Sequence, residues 1–173
     1  MSTPIRYSFD MTKKESKLLS IRKSKNGKGL FAEKNIKLGE VVIELKGKLI
    51  TCYEDENVDE KTRSNTIRFD SEMFLSPKGE VGELINHSCT PNSRIVKKNN
   101  KLYTIAITSI SKNTEIVFDY STVLASDDIW QMKCNCKSIN CRKVIKKFNS
   151  LPKKVKEDYV KLGIVPKYIL SIK

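Results

Sequence analysis

The cysteines fall in a split pattern, and that pattern constrains the chain more than any other feature. Cys134, Cys136 and Cys141 stand together in KCNCKSINC, while Cys89 lies far upstream in NHSCTPN at 86–92. Zinc takes four tetrahedral ligands, and thiolates are the usual donors of a closed structural site. Three thiols within one short C-x-C-x4-C run supply most of such a site. The fourth ligand must come from elsewhere in the chain. Cys89, beside Pro91 in a turn, is the preferred candidate; Cys52 competes as a structural thiol, and His87 could also serve. A metal held this way ties two distant segments together, and zinc binding contributes on the order of 10 kcal/mol of ordering free energy.

At 173 residues the chain is sized for one domain with a small appendage. No apolar run approaches a membrane span, and MSTPIRYSFDMTKK lacks the apolar core of a signal peptide. The thiols are therefore expected in a reducing compartment: nucleus or cytoplasm, or a host cell entered by an exported bacterial effector. In such a compartment clustered cysteines bind metal more often than they form disulfides. The net charge is +13, and it is unevenly placed. Residues 130–173 carry 12 Lys/Arg against 2 Asp/Glu. That basic end suits phosphate-rich partners such as nucleic acid. Lys outnumbers Arg 27 to 6, so a solvated lysine surface is the competing reading.

From Leu18 to Tyr120 the pattern predicts short strands broken by turns. Segments 18–21, 30–32, 41–45, 48–51, 66–69, 95–96, 102–108 and 115–118 are rich in β-branched and aromatic residues. Asn99-Asn100 predicts a hairpin, and Thr51-Cys-Tyr-Glu54 a capping box opening one short acidic helix. Residues 121–133 read as a loop. Near the C-terminus Leu151, Val155, Tyr159 and Leu162 recur at helical spacing, with Ser150 as N-cap, Pro152 in the first turn and Gly163 as the stop. The expectation is mainly β, with short helices, a zinc-tied tail and a closing C-terminal helix. Its divisions are an N-terminal arm over 1–17, a body over 18–122, a zinc segment over 123–145 and a basic helical tail over 146–173.

GKGLFA at 27–32, NHSCTPN at 86–92 and EIVFDYS at 115–121, followed by C-x-C-x4-C, occur in the order found in SET-domain lysine methyltransferases. The last run resembles the family's post-SET zinc segment, whose fourth thiolate corresponds to Cys89. The resemblance covers about residues 18–145. It implies a SET-type (β-clip) fold of small sheets with a threaded C-terminal segment. S-adenosylmethionine would bind on one face, and the target lysine would enter a narrow channel from the other.

The resemblance also implies roles for individual residues. Asn26, Lys28, Gly29 and Leu30 would form the cofactor-binding turn, and Asn86 and His87 would hold the adenosine moiety. Tyr120 matches the catalytic tyrosine, which also borders the cofactor. Phe118, Leu45 and Ile67 match channel positions. Cys89, Cys134, Cys136 and Cys141 match the zinc ligands. The chemistry fits a dry channel, because deprotonating a lysine of pKa roughly 10.4 at neutral pH costs about 4.6 kcal/mol. Desolvation and a neighbouring sulfonium charge favour the neutral amine. In-line methyl displacement rewards alignment more than acid–base groups.

Three positions depart from the family pattern: Leu45 and Ile67 stand where tyrosines are frequent, and Glu83 replaces an arginine. They motivate the alternative of a catalytically weak module binding chromatin or nucleic acid through its basic end. The expected activity is lysine methylation of a histone or another DNA-associated protein, with no membrane partner.

Overall fold

The computed structural model describes residues 17–172; the arm expected over 1–17 lies almost wholly outside them. Among the described residues twelve strands form five small sheets. β1 (Leu19–Ser24) and β2 (Gly27–Ala32) make an antiparallel hairpin. β3 (Val41–Leu45), β8 (Ser93–Lys98) and β9 (Lys101–Ala106) form a three-stranded antiparallel sheet in the order β3-β9-β8. β4 (Lys48–Thr51), β5 (Ile67–Arg68) and β6 (Met73–Ser76) form another, in the order β4-β6-β5. β7 (Asn86–His87) and β10 (Val117–Phe118) pair in parallel, and β11 (Met132–Lys133) pairs antiparallel with β12 (Val144–Ile145).

Alternation explains why these segments are strands. Along β9, Leu102, Thr104 and Ala106 are buried while their neighbours face outward, and Ser93 and Ile95 do the same on β8. Asn99 and Asn100, with φ of 48° and 56°, supply the left-handed pair that a tight hairpin needs. The main core gathers Leu19, Leu30, Ile36, Ile95, Leu102 and Ile116, all almost wholly buried. Each such side chain contributes roughly 1.5–3 kcal/mol by leaving water.

The helices are short. α1 (Cys52–Asn57) opens on the expected capping box: Glu54 N–H donates to Thr51 Oγ1, and Thr51 N–H donates to Glu54 Oε2. α2 (Glu60–Arg63) follows, capped by Asp59. α3 (Lys153–Lys161) and α4 (Lys167–Ser171) close the chain. Ser150 does not cap α3. It ends a separate 3-10 turn at Phe148–Ser150, and Pro152 occupies the N-cap position without a side-chain bond. Leu162 does not cover the body either, being 65% exposed, because the chain turns there through Gly163 at φ +63°. Leu151 and Tyr159 do bury, in a second cluster with Phe148, Ile164, Val165 and Ile169. Tyr168 packs against both clusters, so the tail is fastened to the body.

Candidate functional site

The parallel pair β7–β10 is the centre of the site. It lays Asn86 beside Val117 and His87 beside Phe118, joining two of the motif segments. Asn92 holds this register from the side: its Nδ2 donates to the Glu115 carbonyl, and its Oδ1 accepts from Val117 N–H. Beyond β10 the chain turns into a 3-10 turn, Tyr120–Val123, capped by Asp119. Tyr120 therefore emerges where the two motif strands end.

Two cavities meet at Tyr120. One, of about 280 Å³, is lined by Asn26, Asn86, His87, Tyr120, Asn135 and Ile145 among others. The second is slim, about 40 Å³, and is walled by Ile67, Phe74, Phe118, Val123, Leu124 and Trp130. Tyr120, Ser64 and Asn65 border both. The Tyr120 hydroxyl donates to the Ile85 carbonyl at 2.8 Å, and its ring lies 4.8 Å from Phe118 and edge-on to His87. Burial, with a lesser push from Glu115, raises this phenol far above its usual range, so it stays protonated.

The residues of the β1–β2 hairpin divide in role. The turn between Ser24 and Gly27 is a tight hairpin as well as the rim of the larger cavity, where Asn26 lies. The Lys28 carbonyl accepts from Asn86 Nδ2 at 3.0 Å. Gly29 needs its missing side chain, since a Cβ there would run into Glu115 Oε1 and stand 3.0 Å from Asn86 Nδ2. Leu30 points into the core rather than the cavity. Glu115, which sequence reasoning passed over, braces this wall by accepting from Ser24 Oγ at 2.6 Å and Asn86 Nδ2 at 2.7 Å.

Ile67 and Phe118 line the slim cavity, but Leu45 does not reach it. Leu45 packs behind Gly82, which does form part of the wall, and borders a separate groove. Glu83 faces the slim cavity as well. It accepts from Asn65 Nδ2 and Gly79 N–H, which makes it a brace between loops and places it away from the larger cavity.

The sulfur donors gather beside the larger cavity. His87 Nε2 and the thiols of Cys89, Cys134 and Cys136 all lie within 4.8 Å of one another. Cys89 and Cys134 Sγ are 3.8 Å apart, the separation of two thiolates about 2.3 Å from one tetrahedral zinc. Cys141 stands just outside this set, its Sγ 3.9 Å from the Cys134 carbonyl. The hydrogen bonds assign His87 a different part. Its Nδ1 accepts from Tyr120 N–H at 3.1 Å, so the neutral ring carries its proton on Nε2, aimed at Cys89 Sγ 3.3 Å away. Burial holds the imidazole down at about 4, which keeps it neutral. His87 thus faces Cys89 as a donor to its sulfur, and Cys141 lies outside the set of four.

The donors suit a cation in other respects. Burial pushes Cys89 up to about 11, against the opposing pull of Arg142 and of the Cys134 thiol. Such thiols ionise together only when a positive ion offsets the charge. Arg142, whose Nε is buried without a hydrogen-bond partner among the described residues, adds positive charge beside Cys89. Cys52 lies apart, with its thiol against the Glu72 carbonyl.

A SET domain profile matches residues 27–121, more than half of the chain. The protein "Histone-lysine N-methyltransferase, H3 lysine-4 specific" of Cryptococcus neoformans is 30% identical over 149 residues, covering 79% of this chain and 10% of that protein. "Histone-lysine N-methyltransferase ASHH3" of Arabidopsis thaliana is 28% identical over 152 residues, covering 79% of this chain and 40% of its own length. The chain therefore spans a minor part of these curated relatives. Among solved structures, KRYPTONITE in complex with mCHH DNA, H3(1-15) peptide and SAH superposes with a TM-score of 0.58 at 23% identity, over 74% of this chain and 29% of that one. The fold is shared with that structure.

Proposed function

Because the chain belongs to the SET-domain family, we propose that it transfers methyl groups from S-adenosylmethionine to the side-chain amine of a lysine in a histone. One observation carries this reading: Tyr120 borders both the larger cavity and the slim one. A donor on one side and an acceptor amine on the other would meet at its hydroxyl. S-adenosylmethionine supplies an electrophilic methyl group when bound.

The roles of the chain's own residues follow from their positions. Asn26, Asn86 and His87 line the proposed cofactor cavity, while Lys28 and Gly29 stand behind it against Asn86 and Leu30 lies in the core. Ile67 and Phe118 line the slim cavity, where desolvation favours the neutral form of an entering lysine. The protonated Tyr120 hydroxyl donates to Ile85, so its lone pairs are left to accept an N–H from the amine and aim the amine's own lone pair. Tyr120 orients in this scheme and removes no proton. Cys89, Cys134, Cys136 and Cys141 are the proposed ligands of a structural zinc ion, with His87 donating to Cys89. That clamp keeps residues 132–145 as a wall of the cofactor cavity, to which Met132, Lys133, Asn135 and Ile145 contribute.

The histone methyltransferases among the relatives support a histone substrate and a nuclear location. Both named relatives come from eukaryotes, so the bacterial-effector reading draws no support from them. The KRYPTONITE complex holds DNA beside its peptide, and here Lys153 and Lys154 expose 90% and 81% of their side chains on α3. We assign this basic end to contact with nucleosomal DNA. Among the described residues no helix is long and apolar enough to cross a membrane.

The decisive test is calorimetric titration of zinc-loaded protein with S-adenosylmethionine. Transfer of a labelled methyl group to histones, nucleosomes and lysate follows, read by mass spectrometry. Cofactor binding and a methylated lysine are expected. Tight DNA binding without labelled product would favour the rival reading of a chromatin-binding module. No cofactor binding would sink the proposal.

A further inference from the structure

The sulfur cluster is gripped from outside by groups that line neither cavity. Asp119, next to Tyr120, is only 1% exposed. Its Oδ1 accepts from Arg142 Nη2 at 2.7 Å and from Ser121 N–H at 3.1 Å. Its Oδ2 accepts from the Tyr159 hydroxyl at 3.0 Å. Arg142 directly follows Cys141, and its backbone N–H points at Cys89 Sγ, 3.4 Å away. One buried carboxylate therefore joins the segment bearing Tyr120, the sulfur-bearing flap and helix α3.

We propose that Tyr159 is a positioning residue that latches the flap shut, acting through Asp119 and Arg142. The inference rests on the metal-clamp reading above. Buried carboxylate oxygens nearly always find donors, and a donor on each oxygen restricts the group's rotation further than donors on one alone. The Tyr159 hydroxyl is the donor on Oδ2, and it fixes the rotation of the group so that Oδ1 meets Arg142. Arg142 in turn fixes the backbone between Cys141 and Cys89. Helix α3 supplies the rigidity, because Tyr159 packs among Phe148, Leu151, Ile164 and Val165. The helix beyond the sulfur segment is thus part of the machinery that keeps the cofactor wall in place. Its basic outer face and its inward hydroxyl serve separate ends.

Tyr159→Phe removes the donor and keeps the ring. In the full zinc-loaded chain we expect zinc release to pyridylazoresorcinol to quicken about tenfold, the scale of one hydrogen bond to a charged group. Backbone hydrogen exchange should rise across residues 134–145 and stay unchanged in the β3-β9-β8 sheet. Arg142→Ala should have the same effect, and adding Tyr159→Phe to it should add nothing further. Tyr168→Phe removes another enclosed hydroxyl, one bonded to the Arg68 carbonyl, and should leave release unaltered. Wild-type release and exchange in Tyr159→Phe, or effects that add to those of Arg142→Ala, would overturn the latch. If the native chain takes up no zinc, the metal reading fails by itself, and the exchange measurement still decides the latch. Should Tyr159→Phe not fold, Arg142→Ala cuts the same line from the flap side, and an unloosened flap there would overturn it.

Discussion

At Tyr120 the environment decides which chemistry is open to the residue. A phenol kept protonated by burial cannot serve as a base near neutral pH, but it can orient an amine. Tyr120→Phe should lower the methyl-transfer rate by about a hundredfold or more, since misalignment on the scale of an ångström costs that much. Cofactor affinity should change little, and the melting curve should stay close to that of the native protein. Full activity in this variant would remove Tyr120 from the assigned role. Gly29 tests the opposite wall. Gly29→Ala drives a Cβ into Glu115 Oε1, and Glu115 is already fixed by Ser24 and Asn86. The wall must shift, and cofactor binding measured by calorimetry should weaken about tenfold or more, at a cost of the order of misfit in a packed site. Unchanged affinity would place the cofactor elsewhere.

Among the elements, the hairpin of β11 and β12 depends most on something beyond its own pairing. It has two residue pairs, and its apolar anchor is Ile145. Such a segment cannot hold itself in water. Chelating the proposed zinc should therefore free residues 130–145 to trypsin at Lys133, Lys137, Arg142 and Lys143, with cleavage quickened about tenfold or more. The core built on β3, β8 and β9 should survive as a folded fragment. Mass spectrometry of the timed digest checks this, and a flap equally resistant with and without chelator would argue against the clamp. Strands β1–β4, β8 and β9 are legible from their β-branched and aromatic content, β6 is not, and α1 is legible from its capping box. Of the two-residue strands, β5 and β10 fall within segments legible as strands, whereas β7, β11 and β12 do not, because pairing so short is imposed by neighbours.

For the whole molecule, charge and enclosed hydroxyls give two tests. With a net charge of +13 concentrated at the C-terminal end, binding to nucleosomes should fall steeply with salt, and activity on nucleosomes should exceed that on free histone. Salt-independent activity would show that phosphate contacts contribute nothing. Tyr120, Tyr159 and Tyr168 are all raised well above the ordinary phenol value of 10.0, in each case chiefly by burial. Below pH 10 both folded and unfolded chains keep these protons, so their stabilising contribution is fully present. Above it the unfolded chain releases them and the folded one does not, so stability falls as pH climbs. In an alkaline titration these three should become phenolate only as circular dichroism is lost. Ionisation of all 6 tyrosines in a still-folded protein would contradict this.

What the sequence determined by itself is chemical: a sulfur set suited to zinc, a glycine at position 29 marked for close approach by its motif, the motif order and a β-rich body. These are readable because metal coordination and close backbone approach each admit few residue types. The tertiary structure decided what depends on which distant segments abut. It put Leu45 behind the channel wall, turned Glu83 into a loop brace and set His87 to donate to a sulfur. It also carried Tyr159, legible beforehand only as one apolar position of a helix, to the free oxygen of Asp119. Periodicity tells which face of an element is buried; only packing tells which partner waits there.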